Sequence, residues 1–157
     1  MKKIRLIARI DINNEHVVKG KCLEGLRKLG SPNEFAEKYY KDGIDEIIFL
    51  DAVASLYERN SLIPILKKAS KNIFIPITVG GGIRNIADIK DALSVGADRI
   101  AINSQAVIDI QFVKNAVEEF GSQAIVGSLV ARTHRYSWEA FIDNAKHRTR
   151  INAIDWA

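Results

Sequence analysis

Short, almost continuously apolar runs return along this chain at intervals that leave room for one helix each. Ile4–Ile12, Glu46–Asp51, Ile73–Val79, Arg99–Ile102 and Ala124–Val130 are rich in Ile and Val and are bounded by Gly, Asp or Asn, which predicts strands. Between them, 32–41, 62–70, 86–95 and 112–120 place apolar residues three and four apart, which predicts amphipathic helices. Ser31-Pro32 offers an N-cap followed by proline at the first helical position, and Gly43, Gly96 and Gly121 stand where left-handed residues close helices. Parallel strands need crossover connections, and strands apolar on both sides need cover on both faces. The class is therefore α/β with a parallel sheet.

After Val130 the pattern changes. Aromatic and polar residues alternate over 132–147, with Asp143-Asn144 as a turn, so a small hairpin insertion is expected there, and 151–157 reads as a helix just beginning. A closed parallel barrel of eight βα units needs about 250 residues, against 157 here. The expectation is a single domain over 1–157 holding about five units of a (β/α)8 barrel, either a truncated chain or an open partial barrel, without a second domain. Charge narrows the functional classes: 23 Lys and Arg against 19 Asp and Glu give a net +4, with the signs interspersed, so nucleic-acid binding is not demanded. No apolar run approaches the roughly 20 residues that cross a bilayer, no secretory leader is evident, and the one cysteine, Cys22, has no disulfide partner. These features point to the cytoplasm and away from a membrane.

Working groups of α/β folds gather at the carboxyl ends of the strands. There the chain places Asp11, Asp51, Gly80-Gly81-Gly82 and Asn103-Ser104. Glycines between a strand and a helix let backbone N–H groups approach an anion, and they serve equally in a tight βα turn. Asn103-Ser104 on the next strand adds donors and favours phosphate. Asp11 reads either as a general acid or base or as a loop cap. Lys19 follows in a loop and reads as a solvated lysine or an anion ligand. His16, His134 and His147 look isolated, without ligands at metal spacing, and Arg132, Arg135, Lys146, Arg148 and Arg150 read as a solvated hairpin face.

Taken in order, Ile10-Asp11-Ile12, Val17-Val18-Lys19-Gly20, Phe49-Leu50-Asp51, Val79-Gly80-Gly81-Gly82-Ile83-Arg84, Gly96-Ala97-Asp98 and Ile102-Asn103-Ser104 resemble the cyclase subunit of imidazole glycerol phosphate synthase. The resemblance implies a (β/α)8 barrel that takes ammonia from a glutaminase partner and converts a bis-phosphorylated aminoimidazole-carboxamide ribonucleotide into imidazole glycerol phosphate and the aminoimidazole ribotide, without metal or organic cofactor. It implies Asp11 as one catalytic carboxylate, Lys19, Asp51, Gly81, Gly82, Asn103 and Ser104 as substrate and phosphate contacts, Arg5, Glu46 and Arg99 as an ammonia gate, and Asp98 at the glutaminase interface. The family's second catalytic carboxylate falls on position 130, which here is Val130, and Arg9 replaces a small residue. Val53-Ala54-Ser55-Leu56-Tyr57 and Trp138–Asn144 look more like paralogues from surface-polysaccharide gene clusters, thought to supply ammonia for amidating a sugar. A non-catalytic phosphate-binding remnant is the third expectation.

Overall fold

The computed structural model describes residues 4–21, 24–54, 62–134, 137–143 and 145–157. Cys22, Ser55, Leu56, Tyr57, Arg135 and Asn144 lie outside them. In chain order the elements are β1 (Ile7–Asn13), β2 (His16–Lys21), β3 (Glu24–Gly30), α1 (Pro32–Lys41), β4 (Glu46–Asp51), α2 (Leu62–Ala69), β5 (Ile77–Gly80), α3 (Ile86–Ser94), β6 (Arg99–Ile102), α4 (Ser104–Ile108), α5 (Ile110–Phe120), β7 (Ile125–Gly127), β8 (Val130–His134), β9 (Ser137–Ile142), β10 (His147–Asn152) and α6 (Ala153–Trp156). Seven strands form one sheet in the order β3-β2-β1-β4-β5-β6-β7. From β1 to β7 the pairing is parallel and the order follows the chain, as in a barrel rather than a doubly wound sheet.

The register sorts side chains by parity, because residues paired across parallel strands point to the same face. Asp11, Leu50, Gly80 and Ala101 form one row, and Arg9, Ile48, Thr78 and Arg99 the row below it. The alternate residues Ile10, Ile12, Ile47, Phe49, Ile77, Val79, Ile100 and Ile102 join Ala36, Leu62, Leu66, Ile89, Ala92, Phe112 and Ala116 from the helices in a single buried cluster. Each large aliphatic or aromatic member contributes about 1.5–3 kcal/mol by leaving water. Burial on both faces is complete only in the middle: β5 is buried throughout, whereas Ile7 on β1 is exposed.

Local chemistry closes the helices. Asn85 caps α3 by accepting from the Asp88 N–H at 2.9 Å, and the Asp88 carboxylate accepts from the N–H groups of Arg84 and Asn85, a reciprocal box. Asp109 caps α5 and Gly121 ends it. Ser31 occupies the N-cap position of α1, but its hydroxyl caps nothing; Pro32, with no N–H to satisfy, starts the helix instead.

Two segments depart from the sequence reading. Residues 16–21 and 24–30 form the antiparallel pair β2–β3, added to β1 through β2, where a loop is expected, because Gly20 and the charged residues mask the strand pattern. The insertion is a three-stranded antiparallel sheet, β10-β9-β8, rather than a two-stranded hairpin over 132–147. Its third strand runs into α6 through Asn152, whose side chain accepts from the Ile154 N–H. Within it Arg148 grips the buried Glu139 with Nε and Nη2, and that hydrogen bond, with the carboxylate's charge, raises the guanidinium pKa further. Arg132 lies over the Phe141 ring at 5.5 Å. The basic face expected to be merely solvated is therefore partly engaged.

At Gly81 the backbone requires glycine twice over: φ is +92°, and an added Cβ would overlap the Asp51 carbonyl. Gly81→Ala is expected to cost at least about 2 kcal/mol of stability, the sum of strain and overlap. Urea unfolding reads this directly, and an unchanged midpoint contradicts it.

Candidate functional site

The carboxyl ends of β4, β5 and β6 open into a cleft of about 290 Å³. Gly80 lies so close to Leu50 and Ala101 that a side chain there would meet both, which draws the strands together at the cleft floor. Beyond it Gly81 and Gly82, at φ +92° and +73°, turn the chain along the cleft wall. Gly81, Gly82, Ile83 and Arg84 line one side, and Asn103, Ser104 and Gln105 line the next. Backbone approach without a side chain, beside a hydroxyl and an amide, fits an oxyanion. The N-terminus of α3 adds less than the sequence implies, because the Asp88 carboxylate already occupies it; the backbone that lines the cleft is that of the turn itself.

Of the residues singled out in the sequence, the fold brings Asp51, Gly81, Gly82, Asn103 and Ser104 to this cleft. Asp51 is buried and its Oδ1 accepts from the Val53 N–H at 3.0 Å, so it shapes the turn after β4. Ser104 Oγ accepts from the Asp143 N–H at 3.1 Å, which ties the insert to the cleft. Lys19 is not among the lining residues: it stands exposed on β2, paired in register with Arg27. Asp11 reaches the site indirectly, since Arg9 supplies the lining from β1 and its Nε donates to Asp11 Oδ1 at 2.7 Å. With both partners well exposed, that pair contributes at most about 1 kcal/mol to stability; its weight lies in the charge it sets beside the cleft.

At the opposite end of the strands Glu46, only 7% exposed in its side chain, receives Arg5 on one oxygen and Arg99 on the other, the latter at 2.7 Å. The three charged residues named in the sequence thus meet in one cluster. Asp98 accepts from the Ile77 N–H at 2.8 Å and anchors the start of β5.

Val130, which the resemblance puts at the position of the second carboxylate, also lines the cleft. Two features were not legible beforehand. Arg84 lines the cleft, although in the sequence it only closes a glycine motif. His147, which looks isolated in the sequence, has Nδ1 2.9 Å from Asp143 Oδ2; the two residues meet across an irregular connection between β9 and β10, for which no periodicity gives a signal.

Over residues 5–157 the chain matches the family described as histidine biosynthesis protein. The chain belongs to that family. It is 48% identical to the imidazole glycerol phosphate synthase subunit HisF of Legionella pneumophila over 158 residues, covering 100% of this chain and 74% of that protein. The HisF of Clostridium botulinum (strain Okra / Type B1) is 42% identical, with 98% of this chain and 61% of that protein covered. That of Dehalococcoides mccartyi (strain CBDB1) is 41% identical, with 98% and 60% covered. The chain spans about three fifths to three quarters of these relatives. The family fold is a (β/α)8 barrel, and the five parallel strands in chain order are its consecutive units. Among the described residues no helix is long and apolar enough to cross a membrane.

The cleft predicts anion binding. Inorganic phosphate is expected to bind the chain, with Ser104→Ala weakening it a few-fold and Gly82→Val by more than about tenfold, or about 1.4 kcal/mol. Calorimetric titration measures both, with thermal unfolding as the control for the strained Gly82 position. Equal affinities in folded variants contradict the assignment.

Proposed function

We propose that this chain is the ammonia-using cyclase subunit of an imidazole glycerol phosphate synthase. Its substrate is the bis-phosphorylated aminoimidazole-carboxamide ribonucleotide and its products are imidazole glycerol phosphate and the aminoimidazole ribotide. The observation that carries the reading is the cradle made by Gly81, Gly82, Asn103 and Ser104 in one cleft, in a chain that aligns over its whole length with HisF proteins. In this reading the turn N–H groups and the Ser104 hydroxyl hold one phosphate and so fix the ligand's distance from the strand ends. That fixation supplies the orientation on which an intramolecular ring closure depends. Asp11 is the acid–base group on the β1 side of the cleft. Ammonia enters from the far end, past the Arg5–Glu46–Arg99 cluster, delivered by a glutaminase subunit docked on the face that carries Asp98.

A second reading has its own support. Arg9 sets a guanidinium against Asp11, and Val130 puts an aliphatic side chain into the cleft wall; both alter the charge around the reacting ligand. They fit a paralogue that serves the amidation of a sugar in surface-glycan biosynthesis.

The two separate in a steady-state assay at saturating ammonium without a glutaminase. The cyclase reading expects imidazole glycerol phosphate to form, and Asp11→Asn to lower kcat by about 100-fold or more. A protein that binds phosphate yet forms no imidazole product contradicts the cyclase reading and favours the glycan one.

A further inference from the structure

Four cleft-lining residues among those described carry ionisable side chains: Arg9, Asp51, Arg84 and Asp143. Three are held by neighbours in ways that shape the fold. Arg9 pairs with Asp11, Asp51 accepts from the Val53 N–H, and Arg84 lies 3.9 Å from Asp88. Asp143 is different. Its φ is +53°, a left-handed conformation that an L side chain adopts at a cost and that clusters at working sites. Its N–H donates to Ser104 Oγ at 3.1 Å, and its carboxylate lies 2.9 Å from His147 Nδ1. Main chain and side chain are thus both pinned, one to the phosphate cradle and the other to an imidazole.

The arrangement is that of a carboxylate with an imidazole behind it. The Asp143 side chain is 22% exposed, while His147 is 67% exposed. The register adds a second observation. Val130 on β8 pairs with Phe141 on β9, two residues before Asp143, so the insert brings a carboxylate to the same cleft wall in which Val130 has no ionisable group.

We propose that Asp143 is an acid–base residue of this cleft, oriented by His147 and acting on a ligand whose phosphate is held between Gly82 and Ser104. The proposal rests on the cyclase reading and adds the group that works from the insert side, opposite Asp11. The Asp143 carboxylate takes a proton from the ligand and gives it back to the ligand or to water from the same carboxyl group, while His147, donating from Nδ1–H to Oδ2, holds the carboxylate in place. No oxidant, reductant or co-reactant is needed. Asp143 is the catalytic member and His147 the positioning one.

The test compares the wild-type chain with Asp143→Asn, His147→Gln and the double variant Asp143→Asn/Val130→Asp, using the ammonium-dependent assay and an inorganic phosphate titration. Asn tolerates positive φ, and the bond to Ser104 comes from the main chain, so the fold of Asp143→Asn is preserved. Asp143→Asn is expected to lower kcat by about 100-fold or more, the scale of a general acid or base, with KM and phosphate affinity within about twofold. His147→Gln is expected to lower kcat about tenfold, the loss of an orienting bond rather than of the acid–base group itself, again without a change in KM. A carboxylate at position 130 is expected to recover part of the turnover lost in Asp143→Asn. Loss of phosphate affinity in parallel with kcat, or kcat unchanged in Asp143→Asn, overturns the proposal while leaving the cyclase reading intact. A wild-type chain that binds phosphate but does not turn over overturns the cyclase reading and this proposal with it.

Discussion

Parallel register governs this molecule. Because paired residues in β1, β4, β5 and β6 share a face, each strand commits one parity to the helices and the other to the opposite side. Ile10, Phe49, Val79 and Ile100 belong to the helix-packed cluster, and Arg9, Asp11, Thr78 and Arg99 stand with Ile48, Leu50 and Ala101 on the other parity. The strands also finish at nearly the same height, which brings Asp51, Gly81 and Asn103 to one rim from three separate stretches of chain. A shift of one residue in any strand would exchange its core side for its polar side. The helix-packed cluster therefore fixes the site's geometry and itself reaches the cleft only at Ile83 and Ile102.

The two ends of the strands use charge differently. At the amino end a buried carboxylate, Glu46, is paired with both Arg5 and Arg99, an arrangement in which loss of Glu46 leaves two guanidinium groups without their partner. At the carboxyl end the charges are more exposed, and backbone does more of the work: glycines at positive φ, a capping box that uses up the N-terminus of α3, and a serine shared between the cradle and the insert. An anion arriving there meets N–H groups and a hydroxyl already oriented, so little ordering remains to oppose binding.

Much of this was legible in the sequence, for a physical reason. Buried parallel strands have to be apolar on both parities, which is why Ile47–Leu50 and Ile77–Val79 stand out, and glycines at left-handed positions mark the turns between elements. The cradle residues were visible because Gly81, Gly82, Asn103 and Ser104 lie at strand ends, where position alone gives them meaning. The pair β2–β3 was not visible, because the buried residues of β2, Val17 and Val18, are adjacent rather than alternate and are followed by Gly20 and several charges. Lys19 reads as a solvated lysine from its neighbourhood in the chain and as a ligand only through the resemblance; strand pairing holds it exposed on β2. The Asp143–His147 pair was hidden for another reason: the stretch that joins them holds two backbone positions at positive φ, Asp143 and Ala145, that composition gives no cause to expect.

The account's central claim is that an anion is bound by the backbone of the turn after β5 together with the start of α4. Amide chemical-shift mapping during a phosphate titration examines that claim residue by residue. The account predicts saturable shifts at the N–H groups of Gly81, Gly82, Ile83 and Ser104, with smaller changes at Asp143 through its bond to Ser104. Shifts confined to the basic strand of the insert around Arg148 and Arg150, with the glycine turn unmoved, would contradict it.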